Sequence, residues 1–375
     1  MKYYIIAGEA SGDLHAANLI RELRMNDSSA NIRAWGGDRM EKAGAVLVKH
    51  YKDLAFMGFL EVLKNLRTIL KNLKFCKRDI QDFQPDVIIL VDYPGFNLRI
   101  AEWAHKQGIR VYYYISPQIW AWKQSRVKQI RRDVDRMFVI LPFEKAFYQR
   151  FGVEVDFVGH PLLDAIDAEI KDHPIVEGNF KSRNQLPDKP LIALLPGSRK
   201  QEITIVLHKM LSVVRDFPDY QFVIAGVNTM SESFYRSIIG NHPVKLVYGQ
   251  THELLRSSEA ALVTSGTATL ETALLNVPEV VCYQGGYISY LIARLLIKVK
   301  YISLVNLIMD RVVVKELIQD QLNTDNLKYE LDLILNHRVV RNRIASDYAE
   351  LRHKLGDKGA SHKAARMMQQ YLKKY

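Results

Sequence analysis

Cysteine is almost missing from this 375-residue chain, which carries only Cys76 and Cys282. The two stand far apart, in no C-x-x-C spacing and beside no histidine cluster, which excludes a disulfide framework and a thiolate zinc site. The 11 histidines show no H-x-x-x-H or similar ligand spacing, so no metal site is expected, and His160 in "VGHPLLD" is read as fixing a loop. No run reaches about 18 uncharged apolar residues, so no membrane-spanning helix is expected. The opening "KYYIIAGE" enters a strand at once, without an h-region or a small-residue cleavage site, so no secretory leader is expected. The scarcity of cysteine leads to the expectation of a reducing cytoplasm.

Acidic residues are also in deficit, 41 Asp and Glu against 52 Lys and Arg, for a formal net charge of +11. An acidic partner follows: nucleic acid, an anionic membrane surface or a phosphorylated substrate. A last absence concerns "IIAGEASGDLHAANLI", Ile5 to Ile20, which has the look of a strand, a glycine turn and a helix. Gly8 and Gly12 are not followed by G-x-G-x-x-G, so the dinucleotide fingerprint is lacking there.

What the chain does have is ordinary globular composition, 48% hydrophobic and 25% charged, over a length that suits two domains. Short apolar runs ending in glycine, proline or acid and leading into helical periodicity recur: "YYIIAGEASGD", "VIILVDYPGFN", "VYYYISPQ", "RMFVILPFE", "LIALLPGSR", "QFVIAGVN" and "AALVTSGTATLE". That rhythm predicts parallel βαβ units, whose ligands sit in loops at the carboxyl ends of the strands. The polar, proline-bearing "DHPIVEGNFKSRNQLPDKP" reads as the passage between halves. Domains are therefore expected at 1–170 and 171–336, with a basic helical tail over 337–375.

Several strand-end loops carry chemistry. In "LLPGSRKQEI" the Gly197-Ser198 turn can aim backbone N–H groups at an anion, and Arg199 adds a bidentate cation suited to a diphosphate; a plain turn with a surface arginine is the alternative. In "VTSGTATLETALLNVP", Ser265, Gly266 and Thr267 open a helix whose first amides can receive a phosphate, and Glu271 lies one turn on, where a carboxylate can accept from ribose hydroxyls; helix capping accounts equally for each residue singly. In "VDYPGFNLRIA", Asp92 ends an apolar strand, where low polarity raises a carboxyl's pKa and fits it to take a proton from a hydroxyl. Asp92 and Asn97 are also ordinary turn residues.

Three further segments are distinctive. "YYYISPQIWAWKQSRVKQIRRDVDR" sets Gln118, Trp120 and Trp122 before a run of cations, a pattern that covers sugar faces or stacks on bases; no nucleic-acid fold motif accompanies it, so nucleic acid is not expected as a partner. "FMGFLEVLKNLRTILKNLKFCKRDI" reads as a basic amphipathic helix, either lying on an anionic membrane with Leu63, Leu66, Ile69, Leu70 and Leu73 facing the lipid or packing on its own core. "YISYLIARLLIKVKYISLVNLIM" is a strongly apolar segment that suits an acyl-chain groove, an oligomer contact or a buried helix.

Taken in order, "GEASGD", "FMGFLEVL", "VDYPGFN", "ISPQIWAW", "LPFEKAFY", "VGHPLLD", "LLPGSR", "SGTATLE" and "VKELIQ" span Gly8 to Gln319. This collinear set resembles the lipid-A-disaccharide synthase family, glycosyltransferases of lipid A and lipopolysaccharide biosynthesis. The resemblance implies a GT-B architecture, two Rossmann-like α/β domains with parallel sheets facing across a cleft, the tail packing back towards the first. It implies attack by the 6-hydroxyl of 2,3-diacylglucosamine 1-phosphate (lipid X) on UDP-2,3-diacylglucosamine, giving a β(1→6) disaccharide and UDP with inversion, without metal or other cofactor.

Carried onto this chain, the resemblance makes Asp92 the general base and places Gly197, Ser198, Arg199, Ser265, Gly266, Thr267, Glu271 and Asn306 around the UDP-sugar. Gly8, Ser11, Gly12, Asp13, Asn97 and Gln118 are assigned to the acceptor or sugar cleft, with Ser11 and Asp13 either touching sugar or capping a helix. Val305 stands where the family's "SLPN" has proline, and "DYPGFN" replaces "DAPDFN" around Asp92. The resemblance further implies peripheral association with the inner face of the inner membrane and allows a homodimer. The competing expectations are a UDP-sugar 2-epimerase of the same architecture and a non-catalytic lipid-binding protein.

Overall fold

The computed structural model describes residues 1–53, 66–172, 179–286 and 299–373. The apolar runs become strands of two all-parallel sheets, in two compact units: Met1–Asp164 with Leu355–Tyr375, and Ala165–Lys354. In the first unit the strands are β1 (Lys2–Ala7), β2 (Asn31–Gly36), β3 (Val46–His50), β4 (Val87–Val91), β5 (Val111–Tyr114), β6 (Arg136–Val139) and β7 (Asp156–Phe157). Their order is β3-β2-β1-β4-β5-β6-β7. Val87 to Val91 have no exposed surface, because a parallel sheet is covered on both faces by its crossovers and its strands stay apolar throughout. Helices such as Ala10–Asn26 and Pro94–Lys106 supply that cover with buried stripes, Ala16, Leu19, Ile20 and Leu23 on one and Phe96, Ile100 and Ala104 on the other.

The second unit holds β8 (Leu191–Leu195), β9 (Gln221–Gly226), β10 (Val244–Tyr248), β11 (Ser258–Thr264), β12 (Glu279–Tyr283) and β13 (Lys315–Ile318), ordered β10-β9-β8-β11-β12-β13. Each sheet winds one way and then the other, reversing between β1 and β4 in the first and between β8 and β11 in the second. Such a reversal leaves neighbouring loops diverging above the strand ends, where open α/β sheets take their ligands.

The division of the chain differs from the expected one. It falls within the helix Leu162–Asp172, after Asp164. The helix Arg338–Lys354 stays with the second unit, burying Ile344, Tyr348 and Leu351, while Arg352 donates to the Leu274 carbonyl. Only the last helix, Ala360–Lys373, belongs to the first unit, where Gln369 donates to the Leu23 carbonyl at 3.2 Å and to the Tyr3 hydroxyl at 3.4 Å. Among the described residues no helix is long and apolar enough to cross a membrane.

Candidate active site

At the reversal of the first sheet, Ala7 of β1 lies beside Val91 of β4, and Val91 beside Tyr114 of β5. The chain must leave these adjacent strands sharply. Asp92, Tyr93 and Ile115 all take positive φ, 45°, 51° and 63°, which costs non-glycine residues about 1–3 kcal/mol each and survives only where the surroundings enforce it. Here they do: the Asp92 carbonyl accepts from the Tyr113 hydroxyl at 2.6 Å and from Asn97 Nδ2 at 2.8 Å, and the Asp92 N–H lies 3.3 Å from the Ile115 carbonyl. Burial first, and then the charge of Glu9, just past the end of β1, together raise the Asp92 carboxyl to about 6.

The other residues expected around an acceptor sugar divide. Ser11 and Gln118 are exposed near the strand ends. Gly8 is not open to a sugar, because the Tyr93 ring covers it so closely that an added Cβ would lie 2.3 Å from Tyr93 Cγ. Gly12 is buried against Ala7, where it brings helix and strand together. Asp13 neither touches solvent nor caps its own helix: it is 3% exposed and accepts from the backbone N–H groups of Gly37, Arg39 and Met40 at 2.7, 3.2 and 3.1 Å. It caps the short helix Asp38–Lys42 instead. Asn97 is fully buried and uses its amide N–H groups on strand-end carbonyls, including that of Asp92, so it supports the loop from below. His160, read as fixing a loop, accepts the Leu162 N–H through Nδ1 at 3.2 Å at the start of the helix Leu162–Asp172, and burial holds its pKa down at about 3.

At the reversal of the second sheet, Leu195 of β8 lies beside Val263 of β11. Beyond β8, Gly197 turns with φ 103°, a conformation that suits glycine, and Arg199, exposed, is the N-cap residue of the helix Lys200–Leu211. The Ser198 N–H donates to Glu202 Oε2 at 3.0 Å, so a carboxylate already sits at this turn. Beyond β11, Gly266 precedes the helix Thr267–Leu274 as its N-cap residue, and the space an added Cβ would take there is open. The Ser265 hydroxyl is committed elsewhere, donating to the Ile302 carbonyl at 2.8 Å. Glu271 is partly exposed on the same helix.

Asn306 departs furthest from its expected place. It has no exposed surface. Its Nδ2 donates to the Val314 carbonyl and to Glu316 Oε1, both at 2.9 Å, and its Oδ1 accepts from Val313 N at 2.8 Å and Val314 N at 3.0 Å. All four hydrogen bonds that a carboxamide makes are thus used inside the protein, leaving none for a nucleotide. Val305, on the same helix, is likewise fully buried.

A family model described as lipid-A-disaccharide synthetase matches residues 3–371. The chain belongs to that family. The lipid-A-disaccharide synthase of Syntrophus aciditrophicus (strain SB) is 41% identical over 99% of this chain and 97% of its own length, and that of Trichlorobacter lovleyi is 36% identical over 96% and 95%. Solved structures share the fold at much lower identity: the UDP-GlcNAc 2-epimerase of Neisseria meningitidis bound to UDP-GlcNAc has a TM-score of 0.68 at 15% identity, covering 100% of both chains. CalG4, the calicheamicin glycosyltransferase, has 0.60 at 16%, covering 99% of this chain and 98% of its own. The epimerase likeness is one of GT-B architecture, whereas the family match extends over nearly the whole sequence. As a lipid-A-disaccharide synthetase family member the chain is a hexosyltransferase, forming the lipid A disaccharide from a UDP-sugar donor and a lipid X-type acceptor.

Several residues at these strand-end loops were not among the expected site residues. Glu9 stood inside the quoted "GEASGD" and could have been found as the acid at the end of the first strand. Tyr113 gave no local signal, since it acts on a carbonyl 21 residues away, whereas Glu202 stood four residues after Ser198 inside "LLPGSRKQEI". The basic helix Leu66–Phe83 buries Leu73 at 6% exposure together with Cys76 and Ile80, a heptad-like stripe turned to the core, so Leu73 is withdrawn from the membrane-facing set. Leu70 is 56% exposed and Ile69 intermediate. Leu63, the Leu66 side chain and most of the apolar segment beginning at Tyr287 lie outside the described residues.

Proposed function

We propose that Asp92 is the general base of the reaction and that the loops after β8 and β11 hold the UDP-sugar. The supporting observation is the Asp92 carboxyl itself, locked at a sheet reversal and raised to about 6 by burial and by Glu9. Such a group is mostly ionised at neutral pH and still basic enough to accept a proton as the bond forms. It takes the proton of the acceptor's 6-hydroxyl; that oxygen bonds to the anomeric carbon as the bond from this carbon to the diphosphate oxygen breaks. UDP leaves with the bonding pair, and attack from the opposite face inverts the centre. Ser11 and Gln118 line the acceptor sugar.

In the second unit, the amides around Gly197-Ser198 and Gly266-Thr267, with Arg199, stabilise the charge growing on the leaving diphosphate, and the Glu271 carboxylate accepts from ribose hydroxyls. Peripheral binding to the inner face of the inner membrane is supported by the net charge of +11 and by the exposed Leu70 among cations such as Arg67, Lys71 and Lys74. The test is Asp92→Asn assayed with both acylated substrates: turnover falls by about 10²-fold or more with UDP affinity kept. Retained turnover, or a loss confined to UDP binding, removes Asp92 from this role.

A further inference from the structure

In the second unit, three side chains from three helices meet, and only one of them, Glu271, lies in a motif singled out above. His252, on the helix Thr251–Arg256, points Nδ1 at Glu169 Oε2 of the helix Leu162–Asp172 at 2.5 Å. Its Nε2 lies 3.9 Å from Glu271 Oε2 of the helix Thr267–Leu274, an ion-pair distance. The imidazole side chain is only 16% exposed, so it is held between the two carboxylates rather than floating at the surface.

We propose that His252, anchored by Glu169, is a positioning residue that sets the Glu271 carboxylate for the uridine ribose, and that it does so in its protonated form. The inference rests on the assignment of Glu271 to the ribose. An imidazolium has N–H groups on both nitrogens and satisfies both carboxylates at once; the neutral ring has one N–H, and its bare nitrogen then faces a carboxylate oxygen. When the proton leaves, Glu271 loses its partner and is free to swing away from the position in which it meets a ribose.

The charges around the ring favour the proton. Burial alone pulls the imidazole down, but Glu271 and Glu169 more than offset it, and the pKa stands above the usual value. The neighbouring carboxylate on the ring's own helix, Glu253, is paired with Arg183 of the helix Asn179–Arg183. Because the bound state needs the proton, affinity is full below the raised pKa and is lost as pH rises through it.

The test is calorimetric titration of the full-length protein with UDP between pH 7 and 9, above the last phosphate ionisation at about 6. Wild-type affinity is expected to fall about tenfold over that range, the loss that accompanies one mis-set charge-assisted hydrogen bond. His252→Gln is expected to be about tenfold weaker at pH 7 and flat with pH. Glu169→Gln removes one carboxylate and moves the fall to lower pH. Wild-type affinity and slope in His252→Gln overturn the proposal; if that variant does not melt cooperatively, an unshifted profile in Glu169→Gln overturns it instead. Glu271→Gln separates the two readings: unchanged UDP binding in it refutes the ribose assignment, whereas weakening there with no effect at His252 refutes the positioning role alone.

Discussion

Replacing Asn306 by alanine tells a structural residue from a nucleotide ligand. The substitution strands two backbone donors, Val313 N–H and Val314 N–H, one acceptor, the Val314 carbonyl, and the Glu316 carboxylate, at a site without exposed surface. Glu316 keeps its bonds from Ile302 N, Ser303 N and Ser303 Oγ, so the main loss is the three backbone groups. At about 1 kcal/mol for each buried hydrogen bond lost, and somewhat more where water cannot enter, the cost is about 3–4 kcal/mol. For a unit of this size roughly 2–4 °C accompanies each kcal/mol, so the second unit's melting transition drops by roughly 6–16 °C in scanning calorimetry. UDP affinity, measured well below that transition, stays within about twofold, a change of less than 0.5 kcal/mol. A variant that melts like wild type but loses UDP affinity refutes the structural account and returns Asn306 to the nucleotide.

Glu9→Gln removes the charge that helps raise Asp92, so the acidic limb of the kcat/KM profile, expected near about 6, moves to lower pH; an unmoved limb means that Glu9 does not act on the base. Glu279 has no exposed surface and neither carboxyl oxygen has a side-chain partner; burial, and then Glu316, push its pKa well above the usual carboxyl value. The folded chain therefore holds a proton that the unfolded chain releases above about 4.5, and stability drains as pH rises through that window by up to about 1.4 kcal/mol per unit. Glu279→Gln is thus expected to match wild type near pH 4 and to be the more stable at pH 8, with equal denaturation midpoints at pH 8 counting against it. On the helix Leu66–Phe83, Leu70→Ser reduces partition to anionic vesicles with little change in melting, whereas Leu73→Ser lowers the melting temperature because Leu73 packs inward; vesicle sedimentation and thermal melts read the two apart.

The sites were legible to different depths. Asp92 and Arg199 could be marked because strand-end loops announce themselves locally, by an apolar run that stops at an acid, a proline or a glycine. Asp13 and Asn306 sat in equally suggestive motifs and proved to be caps and braces. Nothing within a few residues of either shows that Gly37 to Met40 or Val313 to Val314 will arrive with unsatisfied backbone groups. Leu73 was misplaced for a related reason, since amphipathic periodicity gives a stripe but not what the stripe faces.

By itself, then, the sequence determined the two parallel α/β halves, the strand-end loops to which the chemistry is assigned and the family, because hydrophobic runs, turn residues and collinear motifs are local properties of the chain. The tertiary structure alone decided how the last helix returns to β1's unit, why Asp92 is raised, and how Glu169, His252 and Glu271 come together. Those outcomes depend on groups remote in sequence, brought within a few ångströms by strand order, and their energies are set by burial and neighbouring charge that no single segment contains.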